Sequence, residues 1–459
     1  MAKIVVIGGS FGGLTAALEL KRLLGGKADI TVVSDLDRFV FVPSLPWLSM
    51  GWRSARDITL PLKDILEPKG IAFRHEEAKG VDADASKVLT GTAELPYDYL
   101  VIATGPALAF DEVRGFGPEG GHTECIFTLA EAQRARQAWE RFLEEPGPMA
   151  VGSVQGVSCF GPSYEYAFEA DYVLRKLKIR HRVPMHFITS EPYIGHFGIG
   201  GFGASRRWLE DEFARRDIKV LANQAVEEFA PGEARLKDGA RVTFKLAMFA
   251  PAMKGVSAVA HLGNPRGFIP VDGQMRNKSQ KNIFTVGVAI AIAPPEPTPV
   301  PTGVPKVGFM AVRMALTAAR TIAAEINGKA PPSPYEMNAI CLMDMGDTAA
   351  YMSARPILPP RQSLSGAVPG SKSFTVNQKL CFNLFRDVIC KPGYYNVMIR
   401  NFHDLIIHRN FSQVGQISPI NAFSRVLPES RWIARQISSL CSTVYSRSWR
   451  STRRRSSSR

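Results

Sequence analysis

No run of about 18 apolar residues occurs in the 459-residue chain, so no segment reads as a membrane-spanning helix. An apolar leader is missing too: Met1-Ala2-Lys3 passes straight into a strand-like segment, and no secretory signal is expected. Cysteine is scarce. The six positions (125, 159, 341, 381, 390 and 441) show neither CxxC nor His-rich spacing, which argues against a metal site. Acidic residues nearly vanish from Arg355 onward, where 17 Lys and Arg accompany only Asp387, Asp404 and Glu429. Elsewhere basic and acidic residues cancel at 39 each, so the net charge of +14 belongs to the tail.

What is present begins with Ile4-Val5-Val6-Ile7-Gly8-Gly9-Ser10-Phe11-Gly12-Gly13. A buried parallel strand closed by glycines and followed by a helix is the pattern of a dinucleotide site, where the backbone approaches a pyrophosphate at a helix N-terminus. Serine at position 10 departs from the usual glycine. The next strand ends at Ser34-Asp35, and Tyr97–Gly105 reads as a further strand closed by Ala103-Thr104-Gly105. Together these features point to FAD.

A second α/β unit follows, with a strand at Met149–Val151, a helix from about Tyr164 to Leu177 and a strand at Met185–Thr189. Its first loop, Gly152 to Glu165, stands where a nicotinamide loop belongs, yet it carries Gln155 and, at the mouth of the helix, Cys159. A helix N-terminus favours a thiolate, so Cys159 is expected to ionise readily. Asn282–Gly287 reads as a strand re-entering the first domain, and Lys306–Asn327 as a long helix. The fold expected is α/β, with two Rossmann-like domains of glutathione-reductase type and a C-terminal tail. The FAD domain is discontinuous (1–110 and 276–361), the second domain spans 111–275, and the tail spans 362–459.

The chain resembles the sulfide:quinone oxidoreductases, a branch of the two-dinucleotide-domain flavoproteins. The matching residues are Phe41–Ser44 with Pro46-Trp47, Ala103–Pro106, and Ser158–Pro162 with Tyr164-Glu165. Ile188–His196, Thr298–Gly303 with Pro305-Lys306, and Cys341 with Asp344–Asp347 complete the match, which runs from about residue 3 to about 361. The resemblance implies that Cys159 and Cys341 form a redox pair on which sulfide is oxidised to sulfane sulfur or polysulfide, with electrons passing through FAD to a membrane quinone. It implies a proton-accepting role for His196 at the sulfide entrance, with its imidazole near the ordinary pKa. Glu165 and Glu296 are implied as proton-relay carboxylates.

Around FAD the resemblance implies Gly8, Gly9, Ser10, Phe11, Gly12, Ser34, Asp35, Val42, Pro43, Ala78, Thr104, Gly105, Gly287 and Lys306. Lys306 would stabilise negative charge on the reduced cofactor. A third family cysteine directly precedes a Thr. Here Phe127 precedes Thr128, Cys125 lies two positions upstream, and Glu131 replaces the family's nearby histidine.

The resemblance ends near Arg361, and Leu342 stands where the family often has an aromatic. Leu380, Leu384, Phe385 and Val388 share one helical face, as do Ile433, Ile437, Leu440 and Val444. Three readings of the tail stay open: basic interfacial helices on anionic lipid, an altered reading frame, or a nucleic-acid-binding arm. The expected partners are sulfide, quinone and a membrane lipid surface met peripherally, on the cytoplasmic side. A homo-oligomer is left open and nucleic acid is disfavoured. The alternative functions are a type 2 NADH:quinone oxidoreductase, a flavocytochrome-type sulfide dehydrogenase, and a non-catalytic FAD-binding relic.

Overall fold

The computed structural model describes residues 1–369, which lie within one compact unit, Met1–Asn383. Cys381, Cys390, Cys441 and the amphipathic faces expected in the tail lie outside the described residues. The chain runs through β1 (Ala2–Ile7), α1 (Phe11–Leu24), β2 (Ala28–Ser34), α2 (Leu45–Ser49), β3 (Ala72–His75) and β4 (Tyr99–Ile102). It continues with α3 (Leu129–Glu144), β5 (Met149–Ser153), α4 (Gly161–Lys176), β6 (Met185–Thr189), β7 (Ile218–Leu221) and β8 (Leu246–Ala250). The last elements are β9 (Ile283–Thr285), α5 (Gly308–Ile326), β10 (Ala339–Asp344), β11 (Thr348–Arg355) and β12 (Gln362–Pro369).

Two parallel sheets result. The first has the order β9-β4-β1-β2-β3, and the second β7-β6-β5-β8. Their central strands are continuous apolar runs because helices cover both faces of such sheets. The apolar stripe of α5 (Met310, Met314, Ala315, Ala318, Ala319, Ile322) is rich in alanine, and it packs along α1 where α1 offers Gly12, Gly13, Ala16 and Ala17. Glu19, buried between these helices, accepts hydrogen bonds from Arg22 at 2.7 Å and Arg320 at 3.0 Å. Burial opposes its charge, but the two arginines keep the carboxyl below the usual range.

The third sheet is antiparallel, β10-β11-β12, and pairs Cys341 with Met352. β12 extends this sheet eight residues past Arg361 and pairs with β11 along its whole length. The sheet is tied to the second Rossmann-like unit by a buried ionic cluster. Asp171 on α4 meets Arg175 at 2.8 Å, Arg180 at 2.9 Å and Arg216 at 2.9 Å, and Arg216 reaches on to Asp347 at 2.5 Å. Asp347 lies in the turn directly after β10.

Candidate active site

The C-terminal ends of β1, β2, β4 and β9 converge on the glycine turn. Gly8 donates its amide to Val33 O at 2.7 Å and sits at φ +107°. A Cβ there would lie 2.2 Å from Ala103 O, and one on Gly13 would lie 1.9 Å from Gly8 O. Gly9 and Gly12 press against Leu62 and Val286 in the same way. The need for Gly8 therefore comes from the neighbouring strand end. The direct pyrophosphate contact expected from the motif is not what forbids a side chain there.

The rim of this turn stays open. Ser10, Asp35, Val42 and Pro43 are exposed, and Phe11, Thr104, Gly105 and Lys306 are half-buried; Ser34, Ala78 and Gly287 lie beneath. The Ser10 side chain makes no cap bond to α1, leaving the helix N-terminus facing this rim. A cradle of this kind, at strand ends and a helix N-terminus, fits a dinucleotide. Lys306 donates to Val288 O at 3.2 Å and stands 3.6 Å over the Phe268 ring; burial pushes its ammonium down to about 7.

The second centre lies where α4 meets β10. Cys159 immediately precedes Phe160, the residue that caps α4, and Cys341 lies within β10. The Cys341 thiol senses the charges of Cys159 and Glu165, and the Cys159 thiol senses Glu165, so one carboxyl serves both sulfurs. Glu165 Oε1 accepts the Asp344 amide at 2.9 Å. Asp344 in turn accepts Trp47 Nε1–H at 2.9 Å and Gly346 N–H at 2.8 Å. Where an aromatic would normally follow the cysteine, Trp47 packs against Leu342 from α2.

The acidity of Cys159 is the reverse of that expected. Burial first, and Glu165 second, push its thiol up to about 12, and Cys341 is raised to about 12 as well. The helix N-terminus does little here because Pro162 has no N–H and the amides of Ser163 and Tyr164 already bond Phe160 O. Glu165 is itself raised to about 8 by burial and by Asp344, the Asp344 amide opposing.

His196 also departs from expectation. It is buried, its Nδ1 accepts Gly198 N–H at 3.1 Å, and its Nε2 faces Glu296 at 3.7 Å. Burial lowers its pKa. The amide on Nδ1 fixes the neutral ring with its proton on Nε2, so the imidazole has no free lone pair for a proton from sulfide. Cys125 is fully buried, and its thiol is raised well above the ordinary value by burial and then by Glu131. Glu131 is the third residue of α3 and closes a capping box with Thr128. The structure thus brings Cys159, Cys341 and Glu165 together and places Cys125 at the foot of α3.

Sequence reasoning missed Glu169. It lies one helical turn beyond Glu165, is fully buried, and neither carboxyl oxygen has a hydrogen-bond partner. Its signal was a carboxylate set among Tyr166, Ala167, Phe168 and Ala170. Asp344 was visible only as part of a motif.

A family model for pyridine nucleotide-disulphide oxidoreductases matches residues 2–156. A sulfide-quinone reductase of Aquifex aeolicus is 42% identical over 375 residues, covering 79% of this chain and 86% of that protein. The X-ray structure of the sulfide:quinone oxidoreductase from the same organism matches with a TM-score of 0.81 at 38% identity, over 87% of this chain and 95% of that one. NDH2 from Plasmodium falciparum in complex with NADH matches with a TM-score of 0.65 at 16% identity, over 84% of this chain and 98% of that one, a likeness of fold alone.

Proposed function

The chain belongs to the sulfide-quinone reductase family, and we propose that it performs the family reaction through Cys159 and Cys341. It is an FAD-dependent oxidoreductase that oxidises sulfide and reduces quinone. The observation that supports the cysteine assignment is the single buried carboxyl, Glu165, acting on both sulfurs across α4 and β10.

Hydrosulfide attacks one sulfur of a bridge between the two cysteines. The S–S bond breaks, a persulfide forms on one cysteine, and the other leaves as a thiolate. FAD supplies the acceptor for the electron pair and delivers it to quinone. Glu165 takes up a proton shed by sulfur, and its pKa near 8 suits that exchange. Gly8 to Gly12, Thr104, Gly105 and Gly287 would hold the dinucleotide. Lys306 would meet negative charge on it, since a half-neutral buried lysine gains a proton readily beside an anion. Among the described residues no helix is long and apolar enough to cross a membrane, and we infer that the protein meets its quinone at a lipid surface.

A nicotinamide-dependent reading is disfavoured by the loop after β5. Gln155 is locked to both backbone groups of Val226 at 3.0 Å, Gly156 N donates to Pro301 O at 2.7 Å, and Gly303 N donates to Val157 O at 2.7 Å. The backbone a nicotinamide dinucleotide would need is already paired. Anaerobic titration decides the matter: sulfide should bleach the flavin and drive reduction of a soluble quinone, and NADH should do neither. Bleaching by NADH alone would refute the proposal.

A further inference from the structure

Nine buried side-chain nitrogen or oxygen atoms of the described residues lack a hydrogen-bond partner, and four of them lie along one route. They are both carboxyl oxygens of Glu169, the Tyr166 hydroxyl, and Oε2 of Glu124. Native proteins leave few such atoms, and each calls for an explanation.

The route starts at the cysteine pair. Glu165 acts on both thiols, and Glu169 stands four residues further along α4, so the two carboxyls are neighbours on one helix surface. Tyr166 lies three residues from Glu169 on the same helix, and the groups that act on its phenol are Glu124 and Glu169. Glu124 in turn faces Arg134 and Arg141 of α3, and the Arg134 side chain is 45% exposed. The other charged or polar groups around the route are Asp344 from β10 and Trp47 from α2.

The donor supply ranks the three inner acids. Asp344 accepts N–H bonds from Trp47 and Gly346, Glu165 accepts one from Asp344, and Glu169 accepts none. Trp47 Nε1 is near enough to act on Glu169, but its bond goes to Asp344. Negative charge therefore settles first on Asp344, and Glu169 is the last to lose its proton. A neutral carboxylic acid can accept a proton on one oxygen while releasing one from the other, as a relay requires.

We propose that Glu165, Glu169, Tyr166 and Glu124 form a water-bridged path carrying protons from the cysteine pair to the surface beside Arg134. Water is the smallest carrier able to bond all four unpartnered atoms. The proposal rests on the sulfide reading. Oxidation of one molecule of hydrogen sulfide to sulfane sulfur yields two electrons, which leave for quinone, and two protons, which must leave the buried site.

The test follows protons and electrons together. The full-length protein with FAD is mixed anaerobically with sulfide in weak buffer containing a pH-indicator dye. Flavin bleaching and proton release are recorded for wild type, Tyr166→Phe and Glu169→Gln. Wild type should release protons as it bleaches. Both variants should lag, with release slowed on the order of tenfold to a hundredfold and a larger solvent isotope effect, while FAD content and Tm hold. Should Glu169→Gln fail to fold, Tyr166→Phe still decides, because it removes one oxygen that bonds nothing in the protein. Wild-type release rates and isotope effects in a folded variant would overturn the path and leave the sulfide reading standing. Absence of bleaching in wild type would overturn the sulfide reading, and the path with it.

Discussion

Glu165 accepts the amide of Asp344 at 2.9 Å, and that bond joins the helix behind Cys159 to the strand carrying Cys341. One side chain thus holds the two halves of the site in register and supplies the carboxyl nearest both sulfurs.

Replacing either sulfur should separate cofactor binding from chemistry. Cys159→Ser and Cys341→Ser should stay yellow with stoichiometric FAD and lose sulfide-dependent bleaching by at least about a hundredfold. Cys125→Ser should keep most of it, because that thiol is buried against Glu131. Stopped-flow absorbance of the three variants checks this, and near-normal bleaching in the first two would remove the assignment.

Thiols raised to about 12 stay protonated at neutral pH, so alkylation of the reduced protein should be slow. Its rate should climb about tenfold per pH unit with no plateau up to about pH 10, since only the thiolate reacts. Mass spectrometry of iodoacetamide-treated Cys159 and Cys341 peptides reads this directly. A plateau near neutral pH would mean that the helix N-terminus prevails after all.

Glu165→Gln should flatten the pH dependence of flavin reduction near pH 8, where wild type gains rate as Glu165 ionises. Stability should move in a set direction as well. The folded pKa exceeds the ordinary 4.5, so the neutral acid is favoured in the fold, and wild type loses stability as pH rises from about 4.5 to about 8. The amide variant is spared that loss. Its Tm relative to wild type should rise across this window; a constant difference would contradict the raised pKa.

Lys306 gives the opposite linkage. Its folded pKa of about 7 lies below the ordinary 10.5, so the charged form is disfavoured in the fold. Without FAD, wild type should lose stability relative to Lys306→Met as pH falls from about 10 to about 7. Binding of FAD near pH 8 should take up a proton in wild type and less in the variant. Calorimetry in two buffers of different ionisation enthalpy measures that uptake.

The boundary at Arg361 is testable by truncation. A chain ending there lacks β12 and exposes the long edge of β11, whereas one ending at Pro369 keeps the third strand. The longer form should retain FAD and sulfide bleaching with a higher Tm. Equal Tm values would make β12 irrelevant to the sheet that carries Cys341.

The parts legible in the sequence are those set by local pattern. The glycine turn after an apolar strand, the two βα units and the helix following Lys306 could be read directly, because strand and helix periodicities and turn glycines are short-range signals. The acidity of Cys159 could not be read, since it depends on how deeply β10 buries the thiol. Pro162, which removes a helix amide, was in plain view, but its effect was outweighed by the motif. Gly8 was correctly singled out for the wrong reason: its constraint comes from Ala103, in a strand far along the chain. Glu169 became conspicuous only once β10 and Glu124 closed over it.

The ionic cluster around Asp171 bears on how often the site can cycle. Arg216 reaches Asp347 just beyond β10, while Trp47 and Glu165 hold Asp344 at the end of that strand. None of these ties passes through sulfur. When the bridge between Cys159 and Cys341 opens, the strand and the helix stay where they were, and each thiol meets the other at a high effective molarity. Reclosure then requires no search. The covalent link can be broken in every turnover because the architecture around it does not depend on it.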